Sequence, residues 1–195
     1  MTIEIRALTG PEIAAGLDDL ARLRITVFAA WPYLYDGDLD YEREYLREFA
    51  AAGQSVLVAA FDAGAVIGAA TASPMWAQKA EFQSPFAARG LDTQRLFYFG
   101  ESVLLPGYRG KGIGHAFFDQ REEQARLAGA EAACFAAVVR PAGHPACPPD
   151  YTPLDRFWRK RGYEPIAGLT TQLAWKEHGE CDESPKPMQY WHRVF

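Results

Sequence analysis

Apolar positions recur along the chain with two periods, one near 2 and one near 3.6, and they divide it into alternating strands and helices. Ile3–Ala7 alternates as a short strand. Thr9 precedes Pro11, a cap followed by a first turn that tolerates proline. Ile13, Leu17, Leu20, Ala21, Val27 and Phe28 keep helical spacing, so the first helix runs to about residue 28. Proline and glycine within 31–38 break it. Asp40 is placed to cap a second helix with Tyr45, Leu46 and Phe49 on its inner face. Ser55–Phe61 and Ala65–Ser73 are apolar runs joined across Asp62-Ala-Gly-Ala and predict a β-hairpin. Residues 74–94 read as irregular or partly helical. Leu96–Leu105 is a further strand, Gly112–Ala128 a helix, and Ala130–Val139 a small-residue strand of fully buried type. Residues 140–152 hold four prolines and form a loop. Pro153–Arg161 is a helix stopped by Gly162, and Leu169–Lys176 and Met188–Phe195 alternate as two last strands. The order predicts an α/β fold with a mixed sheet, hairpins early and late, and a βαβ crossover between them.

The length of 195 residues fits one compact domain over 1–195. Hydrophobic residues at 49% and charged residues at 23% are ordinary for a globular chain. The net charge of −5 argues against nucleic acid as a partner, because non-specific binding to phosphates needs a basic face. No apolar run is long enough to cross a bilayer, and the amino-terminal residues carry no signal-peptide core, so no membrane partner is expected. Cys134, Cys147 and Cys181 form no CxxC pair and leave one thiol over, which fits a reduced, cytoplasmic protein.

The sharpest local feature is Leu104-Leu-Pro-Gly-Tyr-Arg-Gly-Lys-Gly-Ile-Gly114, a glycine-rich turn between a buried strand and a helix. Unpaired N–H groups and the helix dipole make such a turn an anion site suited to phosphate or pyrophosphate. Glycines at 110, 112 and 114 let backbone approach the ligand, and Arg109 and Lys111 add charge. A Walker loop needs Ser or Thr where Gly112 stands, and a dinucleotide fingerprint needs glycine where His115 stands. The remaining pattern, R/Q-x-x-G-x-G/A, fits as Arg109-Gly-Lys-Gly-Ile-Gly114.

On these residues the chain resembles the GCN5-related N-acetyltransferase (GNAT) superfamily, over most of its length and most closely over Leu96–Gly129. Phe157-Trp-Arg-Lys-Arg-Gly-Tyr163 is similar to the family's later helix. The resemblance implies a mixed, mostly antiparallel central sheet of about seven strands flanked by about four helices. It also implies that the turn holds the pyrophosphate of acetyl-CoA through Arg109, Gly110, Lys111, Gly112, Ile113 and Gly114. Ser102, Val103 and Leu104 then pair by backbone hydrogen bonds with the pantetheine arm and the thioester. No metal is implied, and a homodimer is compatible with the family.

Acetyl transfer to an amine needs a proton acceptor, a polarised carbonyl and a proton for the departing thiolate. Glu101, read as lying amid Phe97, Phe99 and Val103, is the first candidate base; Tyr98, on the other face, is the second; a structural partner for an arginine is the bland alternative. Trp158 stands where the family usually has the acidic tyrosine, so Tyr151, read as opening the same helix, or water supplies the proton. Phe28, Trp31, Tyr33 and Tyr35, beside Asp36, Asp38 and Asp40, are the candidate acceptor site for a small cationic or peptide amine, with Glu180, Asp182 and Glu183 facing them. The pairs His144/Cys147 and His178/Cys181 have ligand-type residues but are read as coincidence in polar loops. Arg156, Arg159, Lys160 and Arg161 read as a solvated helix face. The leading function is an acetyl-CoA-dependent N-acetyltransferase; a non-catalytic CoA-binding sensor and an acyltransferase with another acyl-CoA donor are the alternatives.

Overall fold

The computed structural model describes residues 3–195. Seven strands form one sheet in the order β1-β2-β3-β4-β5-β7-β6. They are β1 (Ile3–Thr9), β2 (Val56–Asp62), β3 (Ala65–Pro74), β4 (Leu96–Leu104), β5 (Ala132–Val138), β6 (Glu164–Trp175) and β7 (Ser184–Val194). All neighbours are antiparallel except β4 and β5, which are joined by the crossover helix α4 (Ile113–Leu127). The other helices are α1 (Pro11–Phe28), α2 (Leu39–Ala51), α3 (Ala80–Ala87) and α5 (Asp155–Lys160).

The two faces of the sheet bury different sets. Phe97 and Phe99 of β4 pack with Phe117 and Phe118 of α4, Phe135, Tyr163 and Trp191. Burying each such side chain contributes about 1.5–3 kcal/mol. The opposite face is shared by α1 and α2 over Leu57, Ala69 and Val103, and by α3 over Tyr98, Cys134 and Tyr190.

Several local expectations are corrected. Asp38, not Asp40, caps α2: its carboxylate accepts from Tyr41 N at 2.9 Å, and Asp40 is left to pair with Arg43. The 74–94 segment contains α3, whose Phe82 and Phe86 lie four residues apart and pack inward even with Pro85 between them. β6 starts at Glu164, five residues before the alternating stretch, because its register with β7 breaks between Pro165 and Thr170. β5 is only part-buried beyond Phe135. α5 starts at Asp155, so Tyr151 lies in the loop before it rather than at its first turn.

β4 is irregular in two ways. It pairs with β5 over only three positions, Leu96↔Ala132, Phe97↔Ala133 and Tyr98↔Cys134. Beyond them β4 stays with β3 and β5 stays with β7, so the sheet opens between them. β4 also bulges, because Ala70 and Ala72 of β3 pair with Ser102 and Phe99. The bulge reverses side-chain parity, as an extra residue must. Glu101 and Tyr98 therefore share one face, correcting the expectation that they point apart, and Glu101 faces away from Phe97 and Phe99. Gly100 permits this: a Cβ there would lie 2.4 Å from Thr71 Oγ1.

Candidate active site

The glycine-rich turn sits at the mouth of the β4–β5 opening. After the single turn Pro106–Tyr108, Gly110 and Gly112 take φ of +75° and +83°, which L side chains adopt only at a cost. The next N–H groups to find a carbonyl are those of His115 and Ala116, both on Gly112 O. The five backbone N–H groups of 110–114 make no hydrogen bond among the described residues. They head α4, whose dipole adds to their positive potential. Arg109 and Lys111 are exposed beside them. The turn is closed from the other side by α5, whose Phe157 ring lies 3.6 Å from where a Cβ of Gly114 would be. Ser102, Val103 and Leu104 form the β4 lip of the opening, with Val103 buried against α1. This donor set fits the diphosphate and amide-bearing arm of a CoA thioester.

On the α1 face, the Glu101 side chain is 6% exposed. Its Oε2 lies 2.9 Å from Arg24 Nη1, and its buried Oε1 has no partner among the described residues. Arg24 also bonds the fully buried Glu42 and lies over the rings of Tyr45 and Phe28. Burial opposes the charge of Arg24, but Glu101, Tyr45 and Glu42 outweigh it and raise its pKa above the ordinary arginine value. Burial pushes the Tyr98 phenol well above its usual range, so it stays protonated and is unsuited to act as a base. From the opposite face, the buried Arg121 donates to the carbonyl oxygens of Thr71, at 3.3 Å, and Glu101, at 3.5 Å, bracing the bulge. Neither Arg24 nor Arg121 stands out in the sequence, where an arginine on a helix reads as solvated.

The loop after α1 and the loop after β6 are joined to each other. Asp36 N donates to Lys176 O at 2.9 Å and His178 N to Leu34 O at 2.9 Å. Arg140 donates to Pro32 O at 2.6 Å and Tyr33 O at 3.1 Å and pairs with Glu177 at 2.5 Å. Trp175 Nε1 donates to Tyr33 O at 2.9 Å. Phe28 and Tyr33 pack with tilted rings 4.4 Å apart, and burial pushes the Tyr33 phenol up to about 12. Tyr35 packs beside Glu42, and burial raises its pKa too.

These contacts occupy ring faces that the expected aromatic acceptor site would use. Trp31 and Trp175 already flank the guanidinium of Arg140, at 5.7 and 5.9 Å, and Phe28 faces Arg24. Four of the six carboxylates are committed as well, Asp36 to Lys176, Asp38 to its cap, Asp40 to Arg43 and Glu180 to Lys186. Tyr151 stands edge-on to Trp31 at 6.0 Å. Trp158 is packed between Phe135 and Trp191. Arg161 is not a solvated group, since it pairs with Asp119 and Glu122. His144 packs against Trp31 with its ring tilted, and His178 lies 3.7 Å from Asp36. No cluster of three or more His, Cys, Asp or Glu with metal-site geometry occurs among the described residues.

Comparison with known proteins gives the family and the fold. The profile of the acetyltransferase (GNAT) family matches residues 23–163. No curated protein matches the chain. Solved structures share its fold at low identity. A ribosomal-protein-alanine N-acetyltransferase from Brucella melitensis is 16% identical with a TM-score of 0.63, covering 98% of this chain and 99% of its own. An N-acetyltransferase from Staphylococcus aureus Mu50 is 17% identical with a TM-score of 0.60, covering 100% and 99%. A Salmonella typhimurium protein described as an acetyltransferase, solved with its cofactor acetyl-CoA, is 14% identical with a TM-score of 0.61, covering 100% and 94%.

Proposed function

The chain belongs to the acetyltransferase (GNAT) family, and from that premise we propose that it is an N-acetyltransferase that moves the acetyl group of acetyl-CoA directly to a primary amine while both substrates are bound. One observation carries the reading: the β4–β5 opening has an unpaired anion-binding turn at its mouth and a buried carboxylate with a free oxygen on the β4 lip.

In this reading the N–H groups of 110–114, with Arg109 and Lys111, hold the diphosphate. The edge of Ser102–Leu104 aligns the thioester-bearing arm. Arg24 fixes Glu101 Oε2, so Oε1 is the atom that receives hydrogen from the incoming amine. The balance is one N–C bond formed and one C–S bond broken. Of the two protons lost by the ammonium nitrogen, one ends on the CoA sulfur and the other leaves by Glu101 to solvent. Tyr151 or water hands that proton to the departing thiolate and is reprotonated by the one the amine nitrogen gives up. Cys134, Cys147 and Cys181 are all free thiols, which supports a reducing, cytoplasmic setting.

A CoA-binding sensor without catalysis is the reading favoured by Trp158, whose indole has no O–H to give. Incubation with acetyl-CoA and a panel of primary amines separates the two. Free thiol appearing with an N-acetylated product supports the transferase. Bound acetyl-CoA with no thiol released on any amine supports the sensor.

A further inference from the structure

The clasp between the loops after α1 and β6 leaves the acceptor another approach to Glu101. A cavity of about 260 Å³ lies between α2 and the 75–82 segment, over β3 and β4. Its walls include Tyr45 and Phe49 of α2, Ala77 of the single turn before α3, Phe82 of α3 and Tyr98 of β4. Glu101 lines it too. Glu48 and Lys79 also line it, half exposed and paired with each other at 2.9 Å.

We propose that this cavity is the acceptor site, and that its ligand is a primary amine on a small apolar body, with the ammonium on Glu101 Oε1. The inference rests on the N-acetyltransferase reading and adds to it the route and the substrate class.

Three observations carry it. Glu101 Oε1 is a buried acceptor without a donor among the described residues, an arrangement that is costly unless a ligand satisfies it. An ammonium satisfies it best, because the hydrogen bond is then charge-assisted. The apolar part of the cavity wall is aromatic and alanine carbon, which suits an apolar body, while Thr71, Ser73, Gln78 and the Glu48–Lys79 pair give the rest of the lining besides Glu101 its polar groups. The size fits as well: about 150 Å³ is enough for a benzene ring, so 260 Å³ takes a ring with a short alkylamine arm. Tyr98, whose phenol burial keeps protonated, lines the cavity as well. The segment that walls this site is the 74–94 stretch that has no alternating pattern in the sequence.

Benzylamine, with benzyl alcohol as its neutral counterpart, is the probe. Titrated into the protein loaded with CoA, which carries no acetyl group to transfer, benzylamine is expected to shift the backbone amide resonances of Phe82, Gly100 and Glu101, and benzyl alcohol to leave them nearly unmoved. Shifts confined to Tyr33 and Trp175, no shifts at all, or equal shifts with both probes overturn the proposal. In the kinetic arm, Ala77→Trp and Ala52→Trp fill the cavity from opposite walls. Each is expected to raise the KM for benzylamine about tenfold or more. Binding of acetyl-CoA, measured by calorimetry on the same samples, is expected to stay within about twofold, which also reports folding. An unchanged amine KM in either folded variant overturns the proposal. If the protein binds benzylamine at these residues but acetylates no amine, the transferase reading fails and the cavity assignment stands.

Discussion

Arg24 of α1 and Glu101 of β4 lie 2.9 Å apart, with side chains 13% and 6% exposed. This pair ties the first helix to the bulge that aims the carboxylate, and Arg24 holds Glu42 of α2 at the same time. One guanidinium is thus shared by two buried carboxylates. Arg24→Met strands both charges, and loss of one partner from a buried ion pair costs about 3–5 kcal/mol. Urea denaturation is expected to show a loss of that size, and Glu42→Gln added to Arg24→Met to recover part of it.

Gly112 and Gly129 both have positive φ, +83° and +78°, and open space where a Cβ would go. Alanine at either is expected to cost about 1–2 kcal/mol of stability, from the left-handed backbone alone. Only at Gly112 does the side chain face the proposed diphosphate. Gly112→Asp is expected to abolish detectable acetyl-CoA binding in calorimetry, while Gly129→Asp leaves it within about twofold. Equal affinities in the two aspartate variants would remove the turn from the binding site.

Arg140 holds the loop after α1 through Pro32 O and Tyr33 O and the loop after β6 through Glu177. Arg140→Met removes these charge-assisted bonds, each worth about 1.5–3 kcal/mol. The loops are expected to open locally without global unfolding. Hydrogen exchange at the Asp36 and His178 amides, which cross the clasp, should then speed by about tenfold or more, and that at Ile67 in β3 should not change.

The pKa of Glu180 is lowered to about 2 by hydrogen bonds from Glu177 N and Ser184 Oγ and by Lys186. The carboxylate is more acidic folded than unfolded, so its contribution is fully present above the ordinary carboxylate range near pH 4.5. It is lost as pH falls from there through about 2. The Tm of Glu180→Gln should lie below that of the unaltered protein at pH 7, and the gap should narrow across that acid window. A constant gap down to pH 2 would mean that these bonds do not distinguish the charged form.

What the sequence made legible was local. The strand, glycine turn and helix over residues 96–127 follow from contiguous residues, and the unpaired N–H groups of the turn follow with them. The hairpin of β2 and β3 is equally local. The non-local features were hidden. The parity of Glu101 depends on a bulge defined by the pairing of β3 with β4, so no reading of β4 by itself could find it. Arg24 and Glu42 acquire their role only when α1 and α2 pack together over Glu101. The aromatic loop does lie beside the loop after β6, as its sequence suggests, yet its ring faces are taken by Arg140 and Arg24, one from the end of β5 and one from α1. α3 is hard to see in the sequence because Pro85 and a short length mask its two inward phenylalanines.

The proton-accepting role of Glu101 is tested most directly by the steady-state kinetics of Glu101→Gln with acetyl-CoA and whichever amine the unaltered protein acetylates. The substitution keeps the shape of the side chain and removes its charge. The kcat should fall about 10²-fold or more, the size expected for a lost general base. Acetyl-CoA binding should stay within about twofold, and the acidic limb of the pH–rate profile should flatten. A kcat and pH profile equal to those of the unaltered protein would contradict the assignment and leave Glu101 as a structural partner of Arg24.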